Sequence, residues 1–112
     1  MNAISGFERF DTGMVMENVV FIHLLINGYS VTTGKTKGKE IDFIAGKNWH
    51  KLYIQAVYLL SDKQVINRES GNLHSIKGDN SKTVISLDEF APENINGIRH
   101  VHLRKFLSGN DI

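Results

Sequence analysis

Glu40-Ile41-Asp42-Phe43-Ile44-Ala45-Gly46-Lys47-Asn48-Trp49-His50-Lys51-Leu52-Tyr53-Ile54-Gln55-Ala56-Val57-Tyr58-Leu59-Leu60 is the stretch that decides the fold. Its first part, Glu40 to Ala45, alternates polar and apolar residues and ends at Gly46-Lys47-Asn48, which predicts a strand and a turn. From His50 to Leu60 the run is almost continuously apolar and rich in β-formers. That pattern belongs to a central strand covered on both faces. Working outward, Tyr29-Ser30-Val31-Thr32-Thr33 reads as a preceding strand that enters the turn Gly34-Lys35-Thr36-Lys37-Gly38. Three strands joined by tight turns are antiparallel neighbours.

Helices are expected on either side of this meander. One runs from about Met14 to Asn27, capped by Asp11 or Thr12 and stopped by Gly28. Its apolar face is broad (Met14, Val15, Val19, Val20, Phe21, Ile22, Leu24, Leu25, Ile26), so most of its circumference is expected to be covered. Met1 to Thr12 reads as a lead-in segment. A second helix, Lys63 to Ile76, follows a Ser61-Asp62 cap and carries Val65, Ile66, Leu73 and Ile76 at helical spacing, with Gly71 inside it. Lys82 to Leu87 is a strand ended by Asp88-Glu89 and the sole proline, Pro92. Ile98 to Leu103 is a short strand leading into a helical turn over Arg104 to Leu107. The fold class is α/β: a small mixed β-sheet flanked by helices, in the order α-β-β-β-α-β, with a right-handed crossover through the second helix.

Composition narrows the function classes. The 112 residues are one domain, 1–112, long enough to bury roughly two-thirds of the unfolded surface around one core. Thirteen basic against twelve acidic residues, a net charge of +1, exclude a strongly basic, histone-like binder. With no cysteine, disulfide scaffolds, cysteine nucleophiles and Cys-based zinc sites are excluded. The longest apolar stretch, Val19 to Ile26, is broken by His23 and too short to span a bilayer. No secretory leader is visible, so the expectation is a cytoplasmic domain without membrane contact.

Some patterns imitate chemistry. Gly34-Lys35-Thr36 resembles the tail of a phosphate-binding loop, but the required upstream glycine position is Tyr29 and the segment joins two strands. His100-Val101-His102 places two imidazoles on one face of a strand without a third ligand nearby in sequence. Lys35, Lys37 and Lys39 are candidate phosphate contacts on a hairpin tip. No serine sits in a Gly-x-Ser-x-Gly elbow.

Asp42 is different. A carboxylate in the middle of a strand is costly unless something needs it. Gln55 stands thirteen residues later in the most apolar run, and pairing through the Gly46-Lys47-Asn48 turn brings the two within reach. Glu17, on the first helix, can point to the same place, although acids near a helix N-terminus are also favoured by its dipole.

The stretches Met16-Glu17-Asn18-Val19-Val20-Phe21-Ile22-His23-Leu24-Leu25, Gly28-Tyr29-Ser30-Val31 and Lys39-Glu40-Ile41-Asp42-Phe43-Ile44-Ala45 resemble a known family. So do Lys51-Leu52-Tyr53-Ile54-Gln55-Ala56-Val57-Tyr58, Arg68-Glu69, Val84-Ile85-Ser86-Leu87-Asp88-Glu89-Phe90 and Gly97-Ile98-Arg99-His100. Together they resemble the C-terminal domain of unknown function carried by bacterial and archaeal AAA-type ATPases, over roughly residues 11 to 108. The resemblance implies a PD-(D/E)xK (restriction endonuclease-like) core and an ATPase part upstream that this chain lacks. In active nucleases of that kind two strand acids hold Mg²⁺ and a following lysine steadies developing charge. Position by position, Asp42 matches the first acid, Gln55 the second, Val57 the lysine and Glu17 an additional helix acid. Glu17 and Asp42 are thus the candidate metal ligands. Gln55 brings no charge to a hard cation and Val57 no donor. Loss of one charge-stabilising donor alone costs on the order of 10²–10³ in rate.

The expectation is therefore a non-catalytic accessory or interaction domain of an AAA-type ATPase, with no cofactor. Its partner would be its own ATPase domain or another protein. Two alternatives accompany it: a Mg²⁺-dependent DNA endonuclease with an altered site, and a nucleic-acid-binding module that does not cleave. The oligomeric state is not legible.

Overall fold

The computed structural model describes residues 5–36, 39–60, 63–76 and 81–108. Helix α1 (Ser5–Ile26) leads into β1 (Ser30–Thr36), β2 (Lys39–Lys47) and β3 (His50–Val57). Helix α2 (Lys63–His74) crosses to β4 (Ser81–Ser86), and β5 (Asn94–Ile95), β6 (Ile98–His102) and α3 (Leu103–Leu107) complete the chain. The six strands form one mixed sheet in the order β1-β2-β3-β4-β6-β5. The first three pair antiparallel, β4 lies parallel to β3 and β6 parallel to β4. This is the expected α/β class: a mixed sheet flanked by helices, opening in the order α-β-β-β-α-β.

Side-chain alternation divides the core into two layers. Met16, Val20 and Leu24 of α1 pack with Phe43, Ala45, Ile54, Ile85 and Phe106 on one face of the sheet. Leu73 and Ile76 pack with Ile41, Val84 and Ile98 on the other. Central strand β3 contributes to both layers, as its unbroken apolar run requires. No helix among the described residues is long and apolar enough to cross a membrane.

Four expectations need correction. Residues 5–12 of the lead-in are part of α1, which spans Ser5–Ile26. The circumference of α1 is not mostly covered: it buries the stripe Met16-Val20-Leu24, while Met14, Val15, Ile22, Leu25 and Ile26 are exposed. The buried stripe faces one side of the sheet and α3, whose Phe106 also meets His23, and the outward-facing residues stay exposed. Gly34-Lys35-Thr36 belongs to β1 rather than to a turn. Gly34 lies beneath Ile44 of the neighbouring strand, where an added Cβ would run into that side chain. Finally, β5 was not anticipated: two residues carry too little periodicity to be read. The Ser61-Asp62 cap and Lys37 lie outside the described residues.

Two turns share an unusual backbone. Lys47 pairs with His50 around Asn48 and Trp49, whose φ angles are +51° and +70°. Ile95 pairs with Ile98 around Asn96 and Gly97, with φ of +51° and +85°. Two-residue hairpin loops with both φ positive match the twist of the flanking strands and favour Asn-Gly.

Candidate functional site

Asp42 occupies a break in the ladder. Thr32 pairs with Ile44 and Gly34 with Ile41, so Asp42 and Phe43 together oppose Thr33. Such a β-bulge turns side chains off the regular alternation. It puts Ile41 and Ile44, three residues apart, in contact with the same core layer. Beyond Phe43–Ile54, the last regular β2–β3 pair, side chains replace the backbone ladder. The Asp42 N–H donates to Gln55 Oε1 at 2.7 Å, and the Ala56 N–H donates to Asp42 Oδ2 at 2.9 Å. The structure thus brings Asp42 and Gln55 together in a reciprocal exchange. Gln55 is almost completely buried, and this bond satisfies its side-chain carbonyl oxygen.

Two further carboxylates approach from the flanking layers. Glu17, on α1, is exposed, yet partial desolvation and then the Asp42 charge push its pKa upward. Glu69, on α2, is buried and receives an N–H from Arg68 Nε at 3.3 Å. Burial raises its pKa most, Arg68 opposes that rise, and the Asp42 charge adds to it. Sequence reasoning missed Glu69 as a member of this group; its only signal was the Arg68-Glu69 pair at the end of a helical turn. Among the described residues no three metal-ligating side chains converge on one point. Val57, at the lysine position, is half-buried against the α2-side core. The arrangement can lock two strands and hold like charges close. At position 57 it carries a valine, which supplies no charge.

The remaining candidates separate. Lys35 and Lys39 belong to the paired ends of β1 and β2, away from the Gly46-side turn. His100 is buried: its Nδ1 lies 3.0 Å from the Pro92 carbonyl and its Nε2 2.7 Å from Ser86 Oγ. The carbonyl only accepts, which assigns the proton to Nδ1 and makes Nε2 the acceptor of the serine hydroxyl. Burial lowers the His100 pKa, in keeping with a neutral ring. Ser86 Oγ in turn accepts the Asp88 N–H, and Asp88 accepts N–H groups from Leu60 and Phe90. This serine-histidine pair is a packed tie between strand exits, with Ser86 fully buried. His102 accepts the Arg104 N–H and caps α3, so the two strand histidines have separate protein partners.

Comparison with known proteins gives one informative relative. Over 92 residues the chain is 38% identical to a Haemophilus influenzae protein described as uncharacterized. The match spans 82% of this chain and 22% of that protein's length, so the chain corresponds to about a fifth of the relative. No family model matches the chain. No solved structure matches it either.

Proposed function

We propose that this chain is a non-catalytic interaction domain with a degenerate PD-(D/E)xK nuclease-like core, serving as the accessory domain of an AAA-type ATPase. The observation that carries the non-catalytic part is the Asp42–Gln55 exchange, in which the side chains at the two strand-acid positions each accept a backbone N–H. The element order, with a carboxylate on the second strand and a parallel fourth strand after a helical crossover, supports the nuclease-like comparison. The residues present do not suit Mg²⁺: a neutral amide replaces one acid, and valine replaces the lysine.

The interaction part is supported by α1. Met14, Val15, Ile22, Leu25 and Ile26 lie on one side of the helix and are exposed. A contiguous apolar face of this kind is characteristic of a docking surface. Its occupant would be a neighbouring domain of a longer chain, in keeping with a relative in which the matched part is 22% of the length.

Incubation of single- and double-stranded DNA with Mg²⁺ or Mn²⁺ tests the non-catalytic reading. The expected result is no cleavage by either the parent or a folded Asp42→Ala variant. Cleavage by the parent that the variant loses would make the protein an enzyme with an altered metal site. In the full-length protein, Ile22→Glu with Ile26→Glu should release the domain to limited proteolysis without unfolding it. An unchanged digestion pattern would remove α1 as the docking face.

A further inference from the structure

A cleft of about 720 Å³ lies at the opposite end of β3 from Gln55. Four residues separate Lys51 from Gln55 along the strand, or about 13 Å. The cleft is lined by Lys47, Lys51, Lys82 and Arg99, with His50 and His74 beside them. No aspartate or glutamate is among the described residues that line it. In a chain whose net charge is only +1, this is a marked segregation of positive charge.

Parts of the wall are held in place. Lys47 Nζ donates to the Asn27 carbonyl at 2.6 Å beyond α1 and lies 5.2 Å from the centre of the Tyr29 ring. Lys82 Nζ donates to the Ile76 carbonyl at 2.6 Å beyond α2. An ammonium carries three donors, so each lysine retains two after these bonds. His74 Nε2 lies 2.6 Å from the Asn96 carbonyl, tying the end of α2 to the β5–β6 turn.

The second observation is the Asn48–Trp49 turn at the cleft margin. Its counterpart, Asn96–Gly97, uses glycine at the same position. Trp49 instead adopts φ of +70° and is fully exposed, so no packing in the domain explains a bulky ring there. A left-handed aromatic is an uncommon and strained choice where glycine would serve. An exposed ring beside a row of cations is the combination that holds single-stranded nucleic acid: bases stack on the ring and phosphates lie along the basic groove.

We propose that Trp49 and the Lys47-Lys51-Lys82-Arg99 cleft form a binding site for single-stranded nucleic acid. A base stacks on Trp49 and the adjoining phosphates run into the cleft. Recognition is of backbone charge and base faces, so sequence preference is weak. The site is remote from Asp42 and holds whether or not α1 docks to a neighbouring domain.

Trp49 is the sole tryptophan, so its fluorescence reports on the site directly. Titration with oligo-dT, oligo-rU, a duplex of equal length and poly-glutamate at low salt tests the proposal. The expected result is saturable quenching by one or both single strands and weaker quenching by the duplex. The stronger of the two single-strand arms identifies DNA or RNA as the ligand. With three phosphates neutralised by Lys47, Lys51 and Lys82, log affinity should fall against log salt with a slope of about −2.1, and Lys51→Ala should reduce that slope by about 0.7. Trp49→Gly suits the turn and should weaken binding of a labelled oligonucleotide on the order of 10- to 100-fold by anisotropy. Absence of quenching by both single strands overturns the proposal. So does binding that is undiminished in Trp49→Gly, or a duplex bound as tightly as the single strands. Equal quenching by poly-glutamate also overturns it, in favour of an acidic protein partner.

Discussion

The β2–β3 hairpin is finished differently at its two ends. At one end Asp42 and Gln55 satisfy each other's strand, each taking a backbone N–H from the opposite side. At the other end Asn48 and Trp49 turn the chain with two positive φ angles and a fully exposed ring. The Asn96–Gly97 turn is an internal control for the second case, since it has the same loop length and backbone with glycine where Trp49 stands. A polar residue in a strand thus has a structural explanation at the first end. A bulky residue in a turn has none at the second. The oddity that survives comparison with the rest of the molecule is the better pointer to a binding role.

The largest effect is expected at the closed end. Asp42→Ala removes the acceptor of the Ala56 N–H and should lower stability by about 1–3 kcal/mol. Asp42→Asn retains an acceptor for the Ala56 N–H and removes the repulsion with Glu17 and Glu69, so it should lose less stability than Asp42→Ala. Urea unfolding of both variants checks this. Equal losses in the two would mean that the charge, not the hydrogen bond, holds the strands.

The next effect isolates the turn backbone. A Cβ at Gly97 would lie 3.8 Å from the His74 ring, an ordinary contact, so Gly97→Ala isolates the left-handed φ of +85°. It should cost about 1–2 kcal/mol. Trp49→Gly makes the reverse change and should stabilise by up to about 1 kcal/mol, the relief of strain being partly offset by glycine's freedom in the unfolded chain. Thermal unfolding of the pair gives two shifts of opposite sign. Shifts of the same sign would break the parallel between the two turns.

Much of this was legible in the sequence. Alternation from Glu40 to Ala45 and the apolar run after His50 gave two strands and a central position, because period-two patterning reports directly on sheet faces. The approach of Asp42 to Gln55 was also readable from hairpin register. The bulge was not, since nothing in Asp42-Phe43 marks which strand will carry an extra residue. The start of α1 was missed because Gly6, Asp11, Thr12 and Gly13 weaken local helix propensity, while packing further along the helix extends it. The exposed half of α1 was misread for a different reason: an apolar face looks the same whether its partner lies inside the domain or elsewhere. Glu69 joined the site through the crossover of α2, a long-range placement that no local pattern encodes. Trp49 was hidden because its significance lies in a positive φ that favours glycine.

The smallest effect concerns the carboxylates around Asp42 and has a definite sign. Burial and the Asp42 charge raise the Glu69 pKa above its ordinary value of 4.5, with Arg68 opposing. Below 4.5 the group is protonated in both the folded and unfolded chain and contributes no pH dependence. As pH rises from 4.5 the unfolded chain releases this proton first, so the folded state loses relative stability until its own group has ionised. Glu69→Gln should therefore be more stable than the parent at neutral pH, with the difference shrinking as pH falls towards 4.5. The same substitution in an Asp42→Asn background should gain less, because one source of the rise has been removed. A gain that is constant across the whole pH range would mean that Glu69 titrates alike in the folded and unfolded chain, with neither burial nor the Asp42 charge shifting it on balance.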